Sequence, residues 1–107
     1  MVKMNSLPVI FRNQAVKEQL DRICRENDVA LLALFGSFLR GRPNAKSDVD
    51  ILIRFHHPQG KSLLDLIRTE RQMGKVFKRK VDLLTPEALS PYFRNRVLKT
   101  MRVIYEG

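Results

Sequence analysis

Seven consecutive apolar residues, Val29-Ala30-Leu31-Leu32-Ala33-Leu34-Phe35, end on Gly36-Ser37. The run is strand length and does not alternate, which is the pattern of a strand covered on both faces. Such a strand needs packing layers above and below it. A chain of 107 residues can meet that need only by wrapping its other elements around this one.

The flanking sequence supplies those elements. Asn13 to Asn27 reads as a helix with Val16, Leu20, Ile23 and Cys24 on one face. Val49 to Phe55 reads as a second strand, with Val49, Ile51 and Ile53 pointing one way and Asp48, Asp50, Leu52 and Arg54 the other. Ser62 and Asp65 have capping-box spacing for a helix running to about Phe77. Leu63, Leu66, Ile67, Met73 and Phe77 form its expected apolar stripe, which Glu70 interrupts. Lys80 to Thr85 reads as a third short strand. Thr85-Pro86 and Ser90-Pro91 both look like N-caps followed by proline, the second opening a helix with Phe93, Val97 and Met101 in line. Arg102 to Tyr105 is expected as a last edge strand. The sum is one α+β domain over residues 1–107, a two-layer arrangement of a short mixed sheet with helices mainly on one face.

The formal net charge is +9, from 20 Lys and Arg against 11 Asp and Glu, which favours a nucleotide, a nucleic acid or an acidic protein surface as partner. Nucleic acid is the less favoured of these, because exposed aromatics are not interleaved with the basic residues. No apolar run approaches the ~20 residues of a membrane span. The N-terminal residues lack a signal-peptide pattern, so a cytoplasmic location is expected. Cys24 has no partner for a disulfide and reads as a core residue. His56 and His57 fall in a loop with Pro58 and Gly60 and are expected in solvent. Tyr92 and Tyr105 are expected as buried anchors rather than as modification sites.

Three features carry chemistry. Gly36-Ser37 follows the buried strand directly, where a glycine lets the backbone turn tightly and approach a ligand. Amides in such a turn hold phosphate oxygens, but the Walker lysine of a P-loop is missing. Asp48-Val49-Asp50 places two carboxylates on one face of a strand, about 6.5–7 Å apart at the backbone. Carboxylates at that spacing can converge on two metal ions; the competing reading is a turn residue followed by an exposed acid. Asp82 interrupts the apolar strand Lys80-Val81-Asp82-Leu83-Leu84, either joining the pair or facing solvent beside Lys80.

Gly36-Ser37, ten intervening residues and Asp48-x-Asp50 match the signature of the polymerase-β-like nucleotidyltransferase superfamily. The string from Gly36 to Ile53, with Arg40-Gly41 and Ser47, resembles its smallest members, the minimal nucleotidyltransferase (MNT) proteins often paired with a HEPN toxin. Val81-Asp82-Leu83, Thr85 to Leu89 and the tail from Val103 to Gly107 fit the same pattern. The resemblance implies a nucleotidyltransferase, palm-like fold. It implies that Gly36 and Ser37 bind the β- and γ-phosphates of ATP. It implies that Asp48, Asp50 and Asp82 are catalytic and hold Mg²⁺, two ions in all, with Asp82 nearest the nucleophile. Arg40 is assigned to phosphate charge or to bracing the loop, with a surface salt bridge as the alternative. The implied reaction is AMP transfer to a tyrosine of a HEPN RNase toxin, the chain acting as antitoxin. A module that neutralises its partner by docking alone is the other reading. A small-molecule acceptor ranks last, since 107 residues leave little room for a substrate domain.

Overall fold

The computed structural model of the chain describes residues 13–36 and 48–107. These form helix α1 (Gln14–Glu26), strands β1 (Val29–Phe35) and β2 (Val49–Phe55), helix α2 (Leu63–Phe77), strand β3 (Val81–Leu84), helix α3 (Pro91–Thr100) and strand β4 (Arg102–Glu106). Short 3-10 turns at Pro58–Gly60 and Pro86–Ala88 lie between them. The sheet order is β3-β2-β1-β4. β1 pairs antiparallel with both β2 and β4, while β2 and β3 are parallel. Parallel neighbours need a crossover, and α2 provides it.

Local sequence sets the helix limits. The Asn13 side chain accepts from the amides of Ala15 and Val16, so α1 begins where its first free donors find an oxygen. At the other end the buried Asn27 amide nitrogen donates to the Ile23 carbonyl and to Gln72 Oε1, 2.8 Å each, tying α1 to α2. Ser62 and Asp65 form a complete capping box at the start of α2. Ser90 caps α3 by accepting from the Phe93 amide. Thr85, expected to do the same, makes no side-chain cap, and Pro86–Ala88 is only a 3-10 turn.

Apolar residues of the sheet pack on both sides. On one, Leu20, Ile23 and Cys24 of α1 and Met73 and Phe77 of α2 cover Leu32, Leu34, Ile51, Ile53, Val81 and Leu83. On the other, Leu89 and Val97 meet Ala33, Phe35 and Leu52. Two helices therefore share one face, as expected, and α3 lies across the opposite one. That second face carries the acidic side chains.

Other expectations meet the structure residue by residue. Cys24 is fully buried, and burial, with the Asp21 charge adding to it, pushes its thiol up to about 12. Leu63 is not part of the α2 stripe but 70% exposed, and Thr69 is buried in the helix instead, its hydroxyl donating to the Asp65 carbonyl. Tyr92 is 76% exposed rather than a buried anchor, because its position on the first turn of α3 points it off the sheet. Tyr105 is partly buried against the α1 side. His56 and His57 are exposed, and His57 Nδ1 lies 3.0 Å from Asp28 Oδ2, which Lys61 Nζ also approaches at 3.1 Å. No helix among the described residues is long and apolar enough to cross a membrane.

Candidate active site

The carboxylates are placed by sheet register. Val49, Ile51 and Ile53 are buried on the α1–α2 side, so the strand's alternation turns Asp50 to the other face. Asp50 stands opposite Asp82 across the parallel β2–β3 pair and opposite Phe35 across the antiparallel β1–β2 pair. Asp48, one residue before β2, belongs to the same side by alternation. Its Oδ2 lies 4.0 Å from Lys80 Nζ, an exposed contact that contributes little to stability.

Gly36 closes the site from the β1 end. Its φ is +78°, a conformation that costs any residue with a β-carbon. A β-carbon there would also overlap Asp50 Oδ2 and stand 3.2 Å from Asp50 Cγ. The glycine thus lets the end of β1 pass directly against the carboxylate.

Burial, with the neighbouring charges of Asp82 and Asp48 adding to it, raises the pKa of Asp50. Like charges in register on one sheet face destabilise the fold unless something offsets them. Hard carboxylate oxygens beside one another are the donor type that Mg²⁺ takes, usually one or two per ion together with substrate phosphates. The residues present fit such a cation, although among the described residues no three His, Cys, Asp or Glu side chains already stand as a metal-holding group. The structure brings Gly36, Asp50 and Asp82 together, with Asp48 at the rim beside Lys80. Ser37 and Arg40 lie outside the described residues.

Two contacts escaped the sequence reading. Glu70, which interrupts the α2 stripe, accepts the Leu83 amide at 2.9 Å and so satisfies a donor on the outer edge of β3, one residue from Asp82. An acid within an apolar stripe was its only signal. Phe93 of α3 meets Phe35 edge-on, ring centroids 6.4 Å apart, next to Gly36. That neighbourhood depends on which face α3 covers, which helical periodicity does not encode.

Comparison with known proteins bears on the family and the fold. A family model described as nucleotidyltransferase domain matches residues 16–104. A candidate protein adenylyltransferase of Methanocaldococcus jannaschii is 35% identical over 83 residues, covering 78% of this chain and 87% of the relative. A second from the same organism is 37% identical over 70 residues, covering 64% and 69%. A solved structure of a candidate minimal nucleotidyltransferase superposes with a TM-score of 0.69 at 28% identity, covering 82% of this chain and 88% of the other. A toxin–antitoxin structure with AMP-PNP shares the fold at a TM-score of 0.68 and 18% identity, covering 85% and 73%. So does a Shewanella oneidensis complex of tri-AMPylated HEPN toxin with MNT antitoxin, at 0.62 and 18%, covering 88% and 72%.

Proposed function

Because this chain belongs to the nucleotidyltransferase-domain family, we propose that it moves AMP from ATP, with Mg²⁺, to a tyrosine hydroxyl of a HEPN-type partner toxin and thereby acts as its antitoxin. The observation that carries the reading is the in-register pair Asp50 and Asp82 with Gly36 against Asp50, at one end of the sheet. The names of the adenylyltransferase relatives and of the complex with tri-AMPylated toxin support the acceptor class.

Asp48, Asp50 and Asp82 would hold the cation, whose chemistry is to neutralise triphosphate charge and ease in-line displacement at phosphorus. Gly36 and Ser37 offer backbone and hydroxyl donors to the β- and γ-phosphates. Arg40 adds positive charge there. Asp82 would take the proton of the attacking hydroxyl. The bond from the acceptor oxygen to the α-phosphorus forms, the bond from that phosphorus to the bridging oxygen breaks, and pyrophosphate leaves. Burial first, and then the charges of Asp82 and Asp48, raise the pKa of Asp50; a cation among the three carboxylates would offset the like-charge part of that cost.

The test is to incubate the chain, Mg²⁺ and the protein of the neighbouring gene with ATP labelled either at the α- or at the γ-phosphate. Label from the α position alone should appear on the partner. Label from the γ position on the partner, or from neither, would sink the reading. A triple Asp48/Asp50/Asp82→Asn variant that still silences the partner would leave docking as the means of neutralisation.

A further inference from the structure

The only described helix on the carboxylate side of the sheet is α3, and it leaves an aromatic face uncovered there. Phe35 is 4% exposed and pairs with Asp50. Directly opposed residues of an antiparallel pair place their β-carbons about 4.5–5.5 Å apart on one face. Phe93 covers Phe35 edge-on at 6.4 Å and an interplanar angle of 72°, while 43% of Phe93 stays exposed. The sequence Asp50, Phe35, Phe93 is therefore a line of neighbours running from the carboxylates to an open ring.

We propose that the exposed surface of Phe93 is the platform on which the base of the bound nucleotide stacks. This inference rests on the nucleotidyltransferase reading above and adds the residue that holds the far end of the substrate. With the triphosphate at Gly36 and the carboxylates, the ribose bridges the step from Asp50 past the covered Phe35, and the base arrives over α3. A flat aromatic ligand removes the apolar area of Phe93 from water, and every base has a π-face to offer. The edge-on contact with Phe35 fixes the Phe93 ring from behind, so stacking orders one partner rather than two. Leu98 on the same helix is also exposed, at 41%, but is not part of this aromatic contact and serves as control.

The test measures binding of ATP and of inorganic tripolyphosphate to the full chain with Mg²⁺ by titration calorimetry. Phe93→Leu keeps an apolar side chain over Phe35 but removes the ring face. It should weaken ATP roughly tenfold while tripolyphosphate binding stays within about twofold, as loss of one base–aromatic stack implies. Phe93→Trp should retain ATP affinity, and Leu98→Ala should change neither ligand. Equal weakening of both ligands by Phe93→Leu, or weakening of neither, overturns the proposal. A parent chain that binds tripolyphosphate as tightly as ATP overturns it too, while leaving the carboxylate site intact. A parent chain that binds neither overturns the nucleotidyltransferase reading first.

Discussion

Gly36 and Asp50 share a space that leaves no room for a β-carbon: one built on Gly36 would overlap Asp50 Oδ2 and approach Asp50 Cγ to 3.2 Å. The end of β1 and the middle acid of the Asp48-Val49-Asp50 motif are therefore one structural unit, although fourteen positions separate them in the chain.

Gly36→Ala follows from that contact. The substitution puts a β-carbon at a φ of +78° and must move Asp50 or the turn. The conformational part costs about 1–2 kcal/mol. A displacement near 1 Å at a reacting centre costs about a hundredfold in rate. Transfer activity should fall by roughly that factor while the midpoint of thermal unfolding drops only a few degrees.

Glu70 is a positioning residue by the same logic. Its carboxylate accepts the Leu83 amide at 2.9 Å and holds the outer edge of β3, which carries Asp82. Glu70→Ala should lower stability by about 1–3 kcal/mol in urea unfolding, since it orphans a part-buried donor. It should reduce turnover more than ATP affinity if Asp82 has the role toward the nucleophile proposed above. Glu70→Gln keeps an acceptor and should restore most of both.

The capping box of α2 gives a pH signature. The Ser62 backbone amide, then Arg68 and the Ser62 hydroxyl, bond to the Asp65 carboxylate and hold its pKa below the usual carboxylate range. A depressed folded pKa stabilises the fold above the unfolded value of about 3.9 and loses that contribution as pH falls through the lower folded value. Asp65→Asn should unfold at a lower temperature than the parent at pH 7. The gap should narrow as pH falls below about 4. A gap that is constant across this range would show that the carboxylate charge is not involved.

Cys24 should be inert in the folded chain. It is fully buried, and burial, reinforced by Asp21, pushes its thiol up to about 12, so almost no thiolate is present near neutral pH. Ellman's reagent should react with it only in denaturant. Fast reaction of the native protein would contradict the α1 packing.

Much of this was legible in the sequence because the signals are local. The run from Val29 to Phe35 is β1 from end to end, Val49 to Phe55 is β2, and the Ser62–Asp65 spacing marks the start of α2. What escaped depends on distant elements. Glu70 looked like a flaw in a stripe until β3 supplied the Leu83 amide. Leu63 has the right hydrophobicity but sits on the first turn, where it faces solvent. Lys80 neighbours Asp82 in sequence, yet its ammonium approaches Asp48, which the parallel pairing of Val49 with Val81 brings level with it. Tyr92 and Phe93 are adjacent, but only the partner Phe35 distinguishes an exposed ring from one held at the site. The Gly36–Asp50 contact is set by strand register, which no local motif specifies.

In the function proposed above, the three aspartates make the chain a transferase of AMP rather than a docking module. The most direct measurement is the intact mass of the neighbouring gene's product purified after co-expression with the parent chain or with Asp50→Asn. One or more AMP additions are expected with the parent, none with Asp50→Asn, and complex formation is expected to be retained by both. AMP additions that persist with Asp50→Asn, or an unmodified gene product with the parent chain, would contradict that function.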